Sequence, residues 1–497
     1  MSKPKKAKNI TKLTAPNLTN QPRLDTIVTN ERPLLSIFNS TGGTPPRKYI
    51  FQIDTTFDSK ALIEYRVPES PKVTSKRIEK GDELTDNTIY CWRVKAIDAT
   101  GHCSSWGTEL GSITPRFKVD LRYNKRFMNL VRIPIKNIVS TGRGKENLTN
   151  LGGYEDVTTQ WAGYKDRKVH HIQLDLGTQR KICGVWLLCD REKMDGRIKD
   201  FIWEYGKNES KSKNGDDWTA IKETQIRNSN GFRWVQDFAP IKSRHFRLNI
   251  AGWHGSTPRI NEIELFGPGT PPVPKVPNGG YALVVGNEHD GTEYGDHTPI
   301  VSAIEKSGLK VVVMPYYEIC PRVIKALDHP PVAIILSGFS RWYETLPMFE
   351  FNGEYEIIRQ EKEIPVLGIC GGFQLFVMAY GYTFAHDMGR KFFTYSVKDL
   401  MGKDAPSPIR IVKDDPIFDG MPNPFYAIKF QGWEIAALNS RYETLAVSDC
   451  IEVIKRKGRM VYGTQFHPER DKPFNMGRIL LLNFLRMALD RSQRNVS

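Results

Sequence analysis

A chain of 497 residues with 39% hydrophobic and 11% aromatic residues is too long for a single core and too mixed to be fibrous or low-complexity, so about three globular domains are expected. No apolar run reaches the length of a membrane-spanning helix, and Met1-Ser-Lys-Pro-Lys-Lys-Ala-Lys leads into no apolar stretch, so no secretory signal is expected. The formal charge of +15 is spread among acidic residues rather than gathered into a stripe with stacking aromatics, which argues against nucleic acid as a partner.

Seven cysteines, odd in number and widely spaced, read as mostly free thiols. With no signal segment they make the cytoplasm, rather than the cell exterior, the expected location. Residues 1–25 are polar, lack periodicity and read as a disordered tail. From 26 to 118, short strand-like runs such as Lys48–Asp54, Leu62–Val67 and Thr88–Ile97 are separated by turn clusters, the pattern of a β-sandwich. The run from Tyr90 through Trp92 to Asp98, then Gly101 and Ser105-Trp106, resembles the late strands of a fibronectin type III domain.

Residues 119–268 give a second all-β pattern: Val169–Gly177 alternates, Ile182–Leu188 reads as a buried strand, and Arg244–Ile250 leads to Ile260–Gly267. The strand end Leu174-Asp-Leu-Gly177 and the closing Glu262-Ile-Glu-Leu-Phe-Gly267 resemble discoidin-type jelly rolls. That resemblance implies end loops that bind a glycan or protein surface, and it brings a structural calcium as an expected cofactor, although no local run of oxygen ligands marks one. Trp161, Trp203 and Trp253 are candidate sugar-stacking residues, with burial in the core as their default role. Residues 269–280, rich in proline and glycine, read as a stiff linker that holds this domain off the next.

From 281 to 497 strands alternate with helices: Tyr281–Val285, a helix from Pro299 closed by Gly308, Lys310–Met314, Val332–Leu336, and a last helix from Phe474 to Leu489. The expectation is an α/β domain with a mainly parallel sheet and helices on both faces. Such sheets carry reacting groups at the carboxyl ends of their strands.

Two stretches carry chemistry. Ile364–Ile369 is an apolar strand that breaks into Gly368-Ile-Cys370-Gly-Gly372 ahead of an apolar helix, which sets Cys370 at the tip of a tight turn beside a helix N-terminus. Met460–Thr464 runs into Gln465-Phe-His467-Pro-Glu469. A thiol, a histidine and a carboxylate are the parts of an activated nucleophile: the base takes the proton, and the acid holds the base in its tautomer.

Together these motifs resemble the class I glutamine amidotransferases. The resemblance implies that Cys370 attacks a side-chain carboxamide, His467 carries the proton to ammonia and Glu469 orients His467. It places the oxyanion donors at Gly338 and Gly371 and sets Gln374 in the substrate pocket. Two positions depart from the family pattern. Phe339 stands in Ser337-Gly338-Phe339-Ser340 where a small glycine is usual, and Gln431 stands where the family carries a histidine, so another γ-glutamyl compound competes with glutamine as substrate. No Gly-x-x-x-x-Gly-Lys-Ser/Thr or Ser-Gly-Gly-x-Asp loop is present, so ammonia would pass to a separate synthase or be released. His289, Asp290 and His297 flank a glycine-rich loop but match no metal-ligand spacing, and no metal is expected for the thiol chemistry. The competing reading is a binding protein whose α/β domain is an inactive scaffold. The complete Cys, His and Glu set argues against it.

Overall fold

In the computed structural model, residues 12–18, 26–28, 30–56, 61–71, 73–86, 88–107, 116–119, 130–149, 160–190, 193–207, 217–287, 297–339, 348–379, 384–386, 406–429, 433–435, 438, 440–448, 450–472 and 474–494 are described. The N-terminal domain is a two-sheet sandwich. One sheet pairs Asn17–Leu18, Leu34–Phe38 and Val73–Arg77, and the other orders Thr26–Val28, Arg116–Val119, Thr88–Ile97, Lys48–Asp54 and Ile63–Pro68. Trp92, with Phe51 and Phe117, fills the space between them. The sandwich begins earlier than the sequence suggests. Asn17 pairs with Phe38 and Leu18 with Ile37, and Leu18 is buried, so residues 17–18 of the expected tail form an edge strand. Polar surroundings hid a two-residue strand that is held by one partner strand and by the burial of Leu18 in the sandwich core.

In the second domain, seven antiparallel strands form a sheet around the long strands His170–Leu188 and Arg233–Trp253, with Leu130–Arg132 on its edge against Glu262–Pro268. A smaller sheet joins Gly142–Arg143, Trp161–Gly163 and Arg259–Ile260. Trp161 and Trp203 are fully buried in the core between them, and Trp253 packs edge-on against His170 at 5.1 Å. Trp161 and Trp203 therefore take their default role and present no face to a sugar.

Residues 269–280 do not hold the domains apart. Pro271 is buried and Val276 packs on the third domain, where the carbonyls of Pro277 and Asn278 accept from His329 Nε2 and Lys310 Nζ. Proline and glycine content sets the stiffness of a segment, not what lies beside it.

The third domain is built on β1 (Tyr281–Gly286), β2 (Lys310–Pro315), β3 (Ala333–Leu336), β4 (Val366–Ile369), β5 (Pro406–Ile411), β6 (Phe425–Ile428), β7 (Tyr442–Val447), β8 (Ile451–Arg456) and β9 (Val461–Thr464). Its helices are α1 (Thr298–Glu305), α2 (Pro321–Ala326), α3 (Asn352–Gln360), α4 (Gly371–Met378) and α5 (Gly477–Arg494). The sheet order is β2-β1-β3-β4-β9-β8-β7-β5-β6. Alternate side chains of each central strand serve opposite faces. Ala282 and Val284 meet α1 and α5, whereas Leu283 and Val285 meet the layer of α2, α3 and α4. Apolar strands covered on both sides are what a buried parallel sheet requires.

The expectation of a mainly parallel sheet needs correction. From β2 to β9 the neighbours are parallel, but β9-β8-β7-β5-β6 are antiparallel. A parallel pair needs a long crossover, usually helical, and among the described residues no α-helix stands between β5 and β9.

Candidate active site

The adjacent strands β3, β4 and β9 bring three loops together at their carboxyl ends. Cys370 caps α4 with φ 50° and ψ −106°, in a region that non-glycine residues rarely occupy. Its N–H donates to Thr464 O at 2.7 Å, which ties the turn to β9, and the Gly372 N–H donates to Ser337 O at 3.1 Å, which ties it to β3. The two flanking glycines are required by space. A Cβ on Gly368 would lie 2.6 Å from Gly372 O, and one on Gly372 would lie 2.3 Å from Leu336 O. Backbone strain of this kind persists only where its surroundings impose it.

Cys370, His467 and Glu469 are 6%, 8% and 8% exposed. His467 Nδ1 lies 2.7 Å from Glu469 Oε1, and the imidazole is in hydrogen-bonding contact with the Cys370 side chain. Burial alone would lower the His467 imidazole. The Glu469 carboxylate and Cys370 outweigh burial and hold it up at about 10, so the ring carries a proton at neutral pH. Its backbone is anchored too: His467 N–H donates to Ile428 O at 2.8 Å, and Asn475 Nδ2 donates to His467 O at 3.0 Å.

Gly338 borders both side chains, since a Cβ there would stand 3.3 Å from Cys370 Cβ and 3.5 Å from His467 Cε1. The N–H of Gly371, in the first turn of α4, has no intrahelical partner. The Phe339 ring lies on Gly371, where an added Cβ would be 2.4 Å from Phe339 Cδ1.

Gln374 is buried, and its Nε2 donates to Gln465 Oε1 at 3.1 Å, while Gln465 Nε2 reaches Cys370 Sγ at 3.8 Å. Sequence reasoning does not single out Gln465 as a site residue, although it stands two places before His467 in the same motif. Gln431, His289 and Asp290 lie outside the described residues, and His297 packs against Gly286. Among the described residues no three His, Cys, Asp or Glu side chains gather as a cation site, and none of the seven cysteines is joined in a disulfide.

The glutamine amidotransferase class-I family matches residues 297–487, a span that holds Gly338, Cys370, His467 and Glu469. The C-terminal domain is a class I glutamine amidotransferase domain. Residues 136–265 match the F5/8 type C domain family, the discoidin-like class, and precede it.

Among curated relatives, a glutamine-hydrolyzing GMP synthase subunit of Methanococcus maripaludis (strain C5) is 34% identical over 131 residues, 26% of this chain and 62% of that protein. The glutamine-hydrolyzing GMP synthase of Borreliella burgdorferi (strain N40) is 30% identical over 177 residues, 34% of this chain and 30% of that protein. The chain thus spans less than two thirds of the length of these relatives. Among solved structures, a putative GMP synthase subunit from Thermoplasma acidophilum aligns with 18% identity and a TM-score of 0.35, over 44% of this chain and 100% of that one. A family 32 carbohydrate-binding module from C. perfringens in complex with galactose aligns with 15% identity and a TM-score of 0.22, over 28% of this chain and 98% of that one.

Proposed function

We propose that this chain hydrolyses a side-chain carboxamide, glutamine or a related γ-glutamyl compound, through a thioester on Cys370. The observation that carries this reading is the His467 imidazole held between Cys370 and Glu469 inside a class I amidotransferase domain. An imidazolium beside a cysteine is the arrangement in which sulfur acts as a thiolate nucleophile. In this mechanism Cys370 sulfur attacks the carboxamide carbon and the carbonyl oxygen becomes an oxyanion, accepted by the N–H groups of Gly338 and Gly371. The C–N bond then breaks as His467 gives its proton to the departing ammonia, with Glu469 keeping the ring in place. Water attacks the thioester, His467 takes back a proton, and the carboxylic acid leaves with Cys370 restored.

Removing an oxyanion donor of this type costs about 3 kcal/mol of barrier. Gln374, Gln465 and Phe339 would border the amide and set its identity, with the bulk of Phe339 favouring a substrate shaped to fit it. Ammonia would pass to a separate synthase, as the relation to a GMP synthase subunit suggests, or be released. The F5/8 type C domain would hold a glycan or protein surface.

Incubation with glutamine and a γ-glutamyl panel, following ammonia release and labelling of Cys370 by a glutamine-like diazoketone, tests the reading. Wild type is expected to release ammonia and become labelled. Cys370→Ala is expected to lose at least about a thousandfold in kcat, since the thioester route then has no nucleophile. Wild type that neither releases ammonia nor takes the label would overturn the proposal.

A further inference from the structure

The F5/8 type C domain touches the segment that backs the oxyanion loop, and the contact is made by a buried charge cluster. Arg132, on the edge strand Leu130–Arg132, extends Nη2 to Glu264 Oε1 of its own domain at 2.9 Å and to both oxygens of Glu350 across the domain boundary at 3.1 Å. Its Nε reaches Glu350 Oε1 at 3.3 Å, and its guanidinium lies 4.5 Å from the centre of the Tyr317 ring. The other oxygen of Glu350 accepts from Tyr316 Oη at 2.9 Å. Two carboxylates that are almost fully buried thus share one guanidinium, an arrangement that is costly to break from either side.

From Glu350 the chain leads toward the active site. Phe351 is fully buried, stacks on Tyr316 at 4.5 Å and meets Phe339 at 5.6 Å. Phe339 follows Gly338 and rests on Gly371. A pocket of about 240 Å³ opens at the cluster itself, lined by Arg132 and Glu350 together with Leu130, Phe266, Ile319 and Pro321. Close packing therefore does not fix the segment there, and the directional Arg132 contact holds it instead.

We propose that Arg132 is a positioning residue for the amidotransferase reaction: from the F5/8 type C domain it fixes Glu350 and, through Phe351, the Phe339 ring that covers Gly371. The proposal rests on the proposed role of Gly338 and Gly371 as oxyanion donors. It gives the discoidin-like domain a role in turnover apart from any ligand it binds.

The test uses the full chain and two reactions of the same sulfur. Glutamine hydrolysis passes through a tetrahedral oxyanion, whereas alkylation by iodoacetamide displaces iodide and forms none. Arg132→Leu and Phe351→Leu are each expected to lower kcat for ammonia release about tenfold or more, because small displacements of preorganised donors cost that much. The iodoacetamide rate should stay at the wild-type value, and KM, to which the displaced Phe339 ring also contributes, should rise by less than kcat falls. Arg132→Lys, which keeps a charge for Glu350 but not the fork that spans both of its oxygens and Glu264, should recover only part of the loss, and the double variant should lose little more than either single one.

Phe351→Leu leaves the charge cluster whole, so it carries the test if Arg132→Leu does not fold. Unchanged kcat in the folded variants overturns the proposal, as does an iodoacetamide rate that falls in step with kcat, which would mark general disruption of the site. Wild type that releases no ammonia overturns the proposed function and this inference with it, whereas an active wild type matched by its variants overturns this inference alone.

Discussion

The proposed chemistry turns on the charge of one ring. His467 is buried, which by itself favours the neutral imidazole, yet the nearby Glu469 carboxylate and Cys370 hold it up at about 10. The charged ring is thus present at neutral pH and is lost as pH rises through that value. Its folded value lies above the ordinary 6.5, so the ion pair contributes stability that is fully present below the unfolded value and disappears as pH climbs through about 10. If the imidazolium supplies the proton to ammonia, kcat/KM should show an alkaline limb near that pH. Glu469→Gln keeps a similar shape and removes the charge, which leaves burial as the stronger influence. The limb should then move to lower pH in a pH–rate profile of ammonia release, and a limb that stays in place would separate it from His467.

At the scale of the elements, the turn that presents His467 is braced from below by a buried ion pair. Lys429 follows β6, Glu452 lies on β8, and their side chains, 1% and 0% exposed, meet at 2.5 Å, with Ser448 Oγ accepting from Lys429 Nζ at 3.0 Å. Ile428 O accepts from His467 N–H, and Glu452 O accepts from Gln465 N–H at 2.8 Å, so both partners stand beside residues that hold the site. Lys429→Met strands a carboxylate in the core and should cost about 3–5 kcal/mol, whereas Lys429→Met with Glu452→Leu should regain most of it. Urea unfolding of the two variants checks this. A single variant as stable as wild type would mean that water reaches Glu452. Nothing in the sequence announced the pair, because its partners are distant in the chain and each is an ordinary surface residue type. The turn at Cys370 was legible for the opposite reason: Gly368, Cys370 and Gly372 are neighbours whose spacing is dictated by one backbone shape. Strands β1, β3 and β4 were legible as continuous apolar runs. The antiparallel half of the sheet was not, since pairing direction follows from connections that composition does not mark. Phe339 stands out in the sequence as an odd residue in a loop, but its seat on Gly371 and its contact with Phe351 join positions far apart in the chain and needed the fold.

Among the described residues, the hydrophobic cores of the three domains are separate. The sandwich core around Trp92, the jelly-roll core around Trp161 and Trp203, and the two layers flanking the amidotransferase sheet share no residue. Cooperative unfolding follows shared apolar packing, so a chain of this kind should not melt as one unit. Scanning calorimetry of the full chain is expected to give more than one transition. Covalent labelling of Cys370 by a diazoketone adds contacts only inside the amidotransferase domain, so it should raise the transition that belongs to that domain and leave an N-terminal one where it was. Arg132 makes the second domain the informative case. If its ion pairs with Glu350 carry appreciable coupling, the jelly-roll transition should follow the labelled domain upward by a fraction of its shift, and Arg132→Leu should abolish that response. A jelly-roll transition that ignores the label in wild type would mean that the strut fixes geometry at the oxyanion loop without linking the stabilities of the two domains.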